Sequence, residues 1–194
     1  MPKIYTQEEK DRIRDSLRRE ACTCLSLYGV KKTTVDELVH RATIPKGTFY
    51  LFYKNKEELF FDVLVNFSSR METLYLQMLQ ELDENHIVTS LTDVFFEMAI
   101  RFYHEGIFRF LSHGEMELVE RRLDESRLEE AKVINHEMIR NLFSYFAIDD
   151  EDDIRSFTDG YMSLLYTMLH AGEIPNYEKT LRFLIRGLVL QMVE

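Results

Sequence analysis

Residues 33–56 read TTVDELVHRATIPKGTFYLFYKNK, and the reading of this stretch decides the fold. Val35, Leu38 and Val39 fall on one face of a short helix, and Thr34 with Glu37 three residues on predicts a capping box at its start. Pro45 disfavours helical geometry at Ile44, so that helix ends near Ala42. A second short helix is predicted over 46–53, with Phe49 and Tyr53 four apart on one side. Two short helices joined by a tight turn, the second lined with Lys, Thr and Tyr, read as a helix-turn-helix. Lys46, Thr48 and Tyr50 can donate to phosphate beside Gly47, which lets a backbone come close. Lys54 and Lys56 follow where the chain leaves the helix.

The charge distribution agrees. The net charge of −10 argues against nucleic acid if taken as one number. Residues 1–56, however, hold 12 Lys and Arg against 7 Asp and Glu, a balance of +5, while residues 57–194 hold 12 against 27, a balance of −15. A basic head on an acidic body concentrates phosphate attraction where the motif lies. Few Gly and Pro, and many Leu, Glu, Met and Phe, favour helices. No apolar run reaches the roughly 18 residues that cross a bilayer, and no signal-peptide core is evident. A cytoplasmic setting without a membrane is expected. Cys22 and Cys24 point to different sides of a helix, which suits neither a shared metal nor a disulfide.

The run KGTFYLFYKNKEELF, residues 46–60, closely resembles the signature of TetR-type (TetR/AcrR) transcriptional regulators. The resemblance is specific over residues 13–60 and architectural beyond. It implies an all-α fold: an N-terminal three-helix DNA-binding head over 1–54, and a larger helical effector-binding and dimerisation body over 55–194. It also implies that Lys46, Thr48, Tyr50 and Leu51 face the groove while Thr33, Thr34 and Lys56 hold phosphates. Gly47 and Lys54 complete the expected DNA-binding set. Members usually carry Gly-Val-Ser where this chain has Thr43, Ile44 and Pro45. A β-branched Thr suits positive φ poorly, so a differently built turn is expected here.

Outward from the motif, a first helix is predicted over 7–28, closed by Gly29. Asn55 with Glu58 opens a long helix running to about Glu81, a lever from head to body. Further helices are expected over 90–103, 115–123 and 125–147, with a short segment at 107–112. The acidic run Asp149–Asp153 is read as capping a helix over 150–171 rather than as a metal site. The last helix spans 176–193.

The apolar stripes of the last two helices are too broad to be covered on one side, which predicts a homodimer through Ile154, Phe157, Tyr161, Leu164, Leu165, Met168, Leu181, Leu184 and Leu188. Phe67, Met71, Tyr75, Phe95, Met98, Phe102, Tyr103, Phe108, Met138, Phe143 and Tyr161 are the candidates for a small-molecule effector pocket. His104, His113, His136 and His170 have no metal-ligand spacing. No metal, no cofactor and no catalytic residue is expected, since the sequence lacks a nucleophile elbow, a phosphate loop and an HExxH motif. The resulting expectation is a dimeric repressor released from a palindromic operator by an apolar or amphipathic molecule. The alternative is a helical adaptor that no longer binds DNA.

Overall fold

The computed structural model describes residues 5–112, 114–129 and 150–193. Met138 and Phe143, most of the helix expected over 125–147, and His113 and His136 lie outside the described residues. Among the described residues the secondary structure is helical, and no helix is long and apolar enough to cross a membrane.

The chain forms two compact units, one of Met1–Phe67 with Glu105–Asp124 and one of Ser68–His104 with Glu125–Glu194. This division by packing does not follow the expected functional boundary at 54/55. The start of the long helix and a segment from mid-chain join the head.

In the first unit, α1 (Gln7–Lys32) begins with a complete capping box between Thr6 and Glu9. It loses helical geometry at Gly29, where φ is 77°. Then α2 (Val35–Arg41) is capped by Thr34, whose hydroxyl accepts from the Glu37 N–H at 3.2 Å. Glu37's carboxylate meanwhile takes the Arg41 guanidinium at 3.0 Å.

The turn that follows corrects the expectation. Thr43 adopts φ +55° despite its β-branch. Its N–H donates to His40 O at 3.2 Å, and the Ile44 N–H donates to Val39 O at 3.0 Å. The turn therefore keeps a left-handed residue, closed by the helix's last free carbonyls. The strain of a β-branched residue there costs about 1–2 kcal/mol, and glycine gives back about 0.5–1 through unfolded-state entropy. Thr43→Gly is thus expected to stabilise the protein by about 0.5–1 kcal/mol. A urea midpoint that stays put or falls would contradict this.

Regular α geometry in α3 spans only Lys46–Phe49. Tighter bonds, Leu51 N–H to Thr48 O at 3.1 Å and Phe52 N–H to Phe49 O at 2.9 Å, carry the turns onward to Tyr53. Phe49 is fully buried and Tyr53 nearly so, with ring centroids 5.8 Å apart. A polar network ties three segments around them. The Asp62 carboxylate accepts both Arg18 Nε (2.9 Å) and Nη2 (3.1 Å), together with the Tyr53 hydroxyl. Burial, then the bond to Asp62, pushes the Tyr53 phenol far above its ordinary range.

Asn55 Oδ1 accepts from the Glu58 N–H at 2.8 Å and starts α4 (Lys56–Gln80), one unbroken helix on the order of 37 Å long. The mid-chain segment of this unit is a 3-10 turn, Ile107–Leu111, followed by α6 (Glu115–Glu120). Both pack on α1, and Phe110 meets Phe60 edge to face at 6.4 Å.

In the second unit, α5 (Ile87–His104) packs on the C-terminal helix α8 (Tyr177–Val193). Between them in sequence lies α7 (Glu151–Tyr166), whose start is capped by Asp150 accepting from the N–H groups of Asp152 and Asp153. Asp150 of the acidic run thus does act as a cap, while Asp149 lies outside the described residues. A 3-10 segment, Thr167–Glu173, replaces the last turn of α-helix expected there. Tyr75, Leu79 and Val94 form a buried cluster with Met78, Leu82 and Met98 against it.

Candidate nucleic-acid interface

The nine residues expected to meet DNA separate by exposure. Tyr50 and Leu51 stand out at 52% and 66% exposed, unusual for an aromatic and a leucine. Gly47 is exposed, and a Cβ built there would touch nothing within 4 Å, so its backbone is open to a close approach. Thr34 caps α2 at the surface. Lys46 reaches across to Asp36 on α2 at 2.8 Å, and that hydrogen bond raises its pKa. Lys54 lies 2.7 Å from Asp124, which likewise holds the lysine up and the Asp124 carboxyl down. Exposed pairs of this kind contribute little to stability and exchange partners readily. A phosphate can therefore replace either carboxylate.

Three of the nine face inward. Thr33 is 1% exposed and donates its hydroxyl to Gly29 O at 2.7 Å. Thr48 is 6% exposed, its hydroxyl 3.1 Å from that of Tyr5. Lys56 donates Nζ to the carbonyls of Val30 and Thr33, each at 2.6 Å. Sequence reading missed Asp36 and Asp124 as partners of the surface lysines, and no local pattern carries a signal across such gaps. It also missed Asp62, which a helix stripe marks only as a polar position.

The candidate effector residues are spread. Phe67 and Phe108 belong to the first unit, and the described remainder to the second. Met71, Tyr75 and Phe95 are buried, whereas Met98, Phe102, Tyr103 and Tyr161 are partly covered. Tyr161 donates its hydroxyl to Phe95 O at 2.7 Å with ring centroids 5.4 Å apart, and burial pushes that phenol far up. In the candidate dimer set, Leu165, Met168 and Leu181 are buried within their own unit. Ile154, Phe157, Tyr161, Leu164 and Leu188 are partly covered, and Leu184 is exposed. Among the described residues the most exposed large apolar side chain is one sequence reading did not name for the interface, Phe183 at 76%, with Leu190, Val193 and Tyr166 also uncovered.

Residues 17–63 match the family profile described as bacterial regulatory proteins, tetR family. A protein of Bacillus subtilis (strain 168), described as the uncharacterised HTH-type transcriptional regulator YhgD, is 29% identical over 151 residues, 74% of this chain and 70% of that one. The fold is shared with the TetR family regulator PfmR of Thermus thermophilus at 16% identity and a TM-score of 0.66, covering 97% of each chain. A TetR family regulator of Marinobacter aquaeolei VT8 aligns with a TM-score of 0.70 at 11% identity, over 95% of this chain and 97% of that one. Signature and profile converge on the segment that carries the exposed helix-turn-helix: residues 17–63 are similar to the DNA-binding domain of tetR family bacterial regulatory proteins, and the chain shares the fold of TetR family regulators.

Proposed function

We propose that the chain is a homodimeric repressor that leaves a palindromic operator when a small apolar or amphipathic molecule enters its second unit. The observation that carries the DNA half is the exposed set Gly47, Tyr50 and Leu51 on the reading helix, flanked by Lys46 and Lys54. The apolar surfaces of Leu51 and of the Tyr50 ring gain nothing from water. In a major groove, Leu51 can press on a thymine methyl and Tyr50 can donate to phosphate. The reading helix offers no Arg or Asn for a bidentate base contact, so specificity leans partly on DNA shape.

The functional division proposed is residues 1–54 for DNA and 55–194 for effector and partner. The aromatic and Met-rich interior of the second unit around Met71, Tyr75, Phe95, Met98 and Tyr161 is the proposed effector site. Because α4 belongs to both units without a break, rearrangement there can alter the spacing of two heads in a dimer. Two linked heads bind strongly only while both reach their half-sites, so a change in spacing releases DNA.

Selecting bound duplexes from a random pool tests operator and symmetry together, and a recovered palindrome is expected. On that duplex, affinity should fall steeply between 50 and 200 mM salt, and Lys54→Ala should reduce the logarithmic salt slope by about 1. A flat salt dependence would favour the helical adaptor instead.

A further inference from the structure

Between Gly29 and Val35 the chain turns from α1 into the helix-turn-helix, and side chains from elsewhere in the same unit hold this link by both kinds of backbone group. The Val30 and Lys31 N–H groups donate to Glu115 Oε2, the second at 3.2 Å. The carbonyls of Val30 and Thr33 accept from Lys56 Nζ. The approach is close: a Cβ on residue 29 would lie 2.6 Å from Glu115 Oε1. The carboxylate thus sits against the bare Cα of Gly29. Glu115 is the first residue of α6 and lies more than eighty positions along the chain from its partners.

Water would satisfy two N–H groups left free by a helix break almost as well as a carboxylate does. What Glu115 adds is therefore a tether. We infer that Glu115 is a positioning residue for DNA recognition, fixing the direction in which α2 and α3 leave α1. This rests on the proposed DNA binding. Glu115 meets no phosphate itself, and an acidic group would be repelled by one. Its effect is on the orientation of Tyr50, Leu51 and Lys46. Charge-assisted bonds to backbone N–H groups are short and directional, and so suit that task. Lys56, which donates to the same link, works beside it rather than on DNA.

The test compares wild type, Glu115→Ala, Glu115→Gln and Glu117→Ala on one selected operator. Glu115→Ala should bind about tenfold more weakly, the scale of one charge-assisted bond's contribution to orientation, with an unchanged salt slope because no phosphate contact is lost. Glu115→Gln keeps an acceptor oxygen and should recover much of the affinity. Glu117→Ala, on the same helix, should bind as wild type does. In amide NMR spectra the Val30 and Lys31 protons should move upfield in Glu115→Ala and less so in Glu115→Gln. Should Glu115→Ala fail to fold, Glu115→Asp, too short to reach both N–H groups, takes its place with the same expectations. Wild-type affinity in the Ala or Asp variant overturns the inference, as does a loss that Gln does not recover or a reduced salt slope. A wild-type protein that binds no duplex would instead overturn the DNA-binding reading itself.

Discussion

Gly106→Ala is expected to destabilise the protein by about 2–5 kcal/mol, because one methyl brings both overpacking and backbone strain. Gly106 has φ +75° and precedes the Ile107–Leu111 turn, pressed against α1. A methyl at this position would lie 1.7 Å from Ser26 Oγ and 2.9 Å from Ser26 Cβ. The hydroxyl can swing away, although it would give up its bond to Cys22 O at 3.0 Å. The Cβ cannot move without α1 moving. Overpacking of this kind costs about 1–3 kcal/mol, and left-handed geometry for alanine about 1–2 more. Denaturant unfolding gives the number, and the double variant with Ser26→Gly should recover the overpacking share while leaving the backbone share. A single Ala variant within about 0.5 kcal/mol of wild type, the range of an ordinary surface substitution, would mean that the segment does not pack on α1 in solution.

Phe183→Asp is expected to have the largest effect on function: a monomer by sedimentation, and operator affinity lower by about 10²–10⁴-fold. The reasoning starts from α8, which is apolar on two sides. Leu181, Ile185 and Val189 form one stripe and are fully buried within the unit. Phe183, Leu184 and Leu190 form the opposite stripe, exposed at 76%, 38% and 38%. A bare apolar stripe flanked by Arg182 and Arg186, which pair back to α5 through Asp93 and Thr89, is suited to a second copy related by two-fold symmetry. A charge at the centre of that contact must be desolvated against its symmetry mate, and the dimer separates. A single head then binds only one half-site, and the gain from linked binding is lost. If Phe183→Asp remains dimeric and binds operator normally, the proposed interface lies elsewhere. Helical content by circular dichroism should match wild type in either result, since the side chain is 76% exposed and touches little of its own protomer.

Much of the fold was legible because its signals are local. Thr34 ahead of Glu37, Asn55 ahead of Glu58, Asp150 ahead of two acidic residues, and the spacing of Phe49 and Tyr53 each specify a helix start or a buried face within one turn of chain. Capping and 3.6-residue periodicity act over that same distance, so sequence alone carries them. The Thr43 turn went the other way. Local preference argued against positive φ, but the carbonyls of His40 and Val39 closed the turn and outweighed a strain of about 1–2 kcal/mol.

The candidate site was half legible. Sequence singled out Lys46, Gly47, Tyr50, Leu51 and Lys54, residues whose chemistry suits DNA wherever a helix exposes them. It could not tell these from Thr33, Thr48 and Lys56, because exposure is decided by what other segments place nearby: Gly29's carbonyl, Tyr5's hydroxyl, and the carbonyls that Lys56 grips. The buried Leu181 and the bare Phe183 likewise differ only through the helices that cover one side of α8. By itself, then, the sequence determined the helix starts and the helix-turn-helix motif, all written in neighbouring residues. Only the tertiary structure decided which polar groups are free to meet a partner, since burial and hydrogen bonding are set by contacts far apart in the chain.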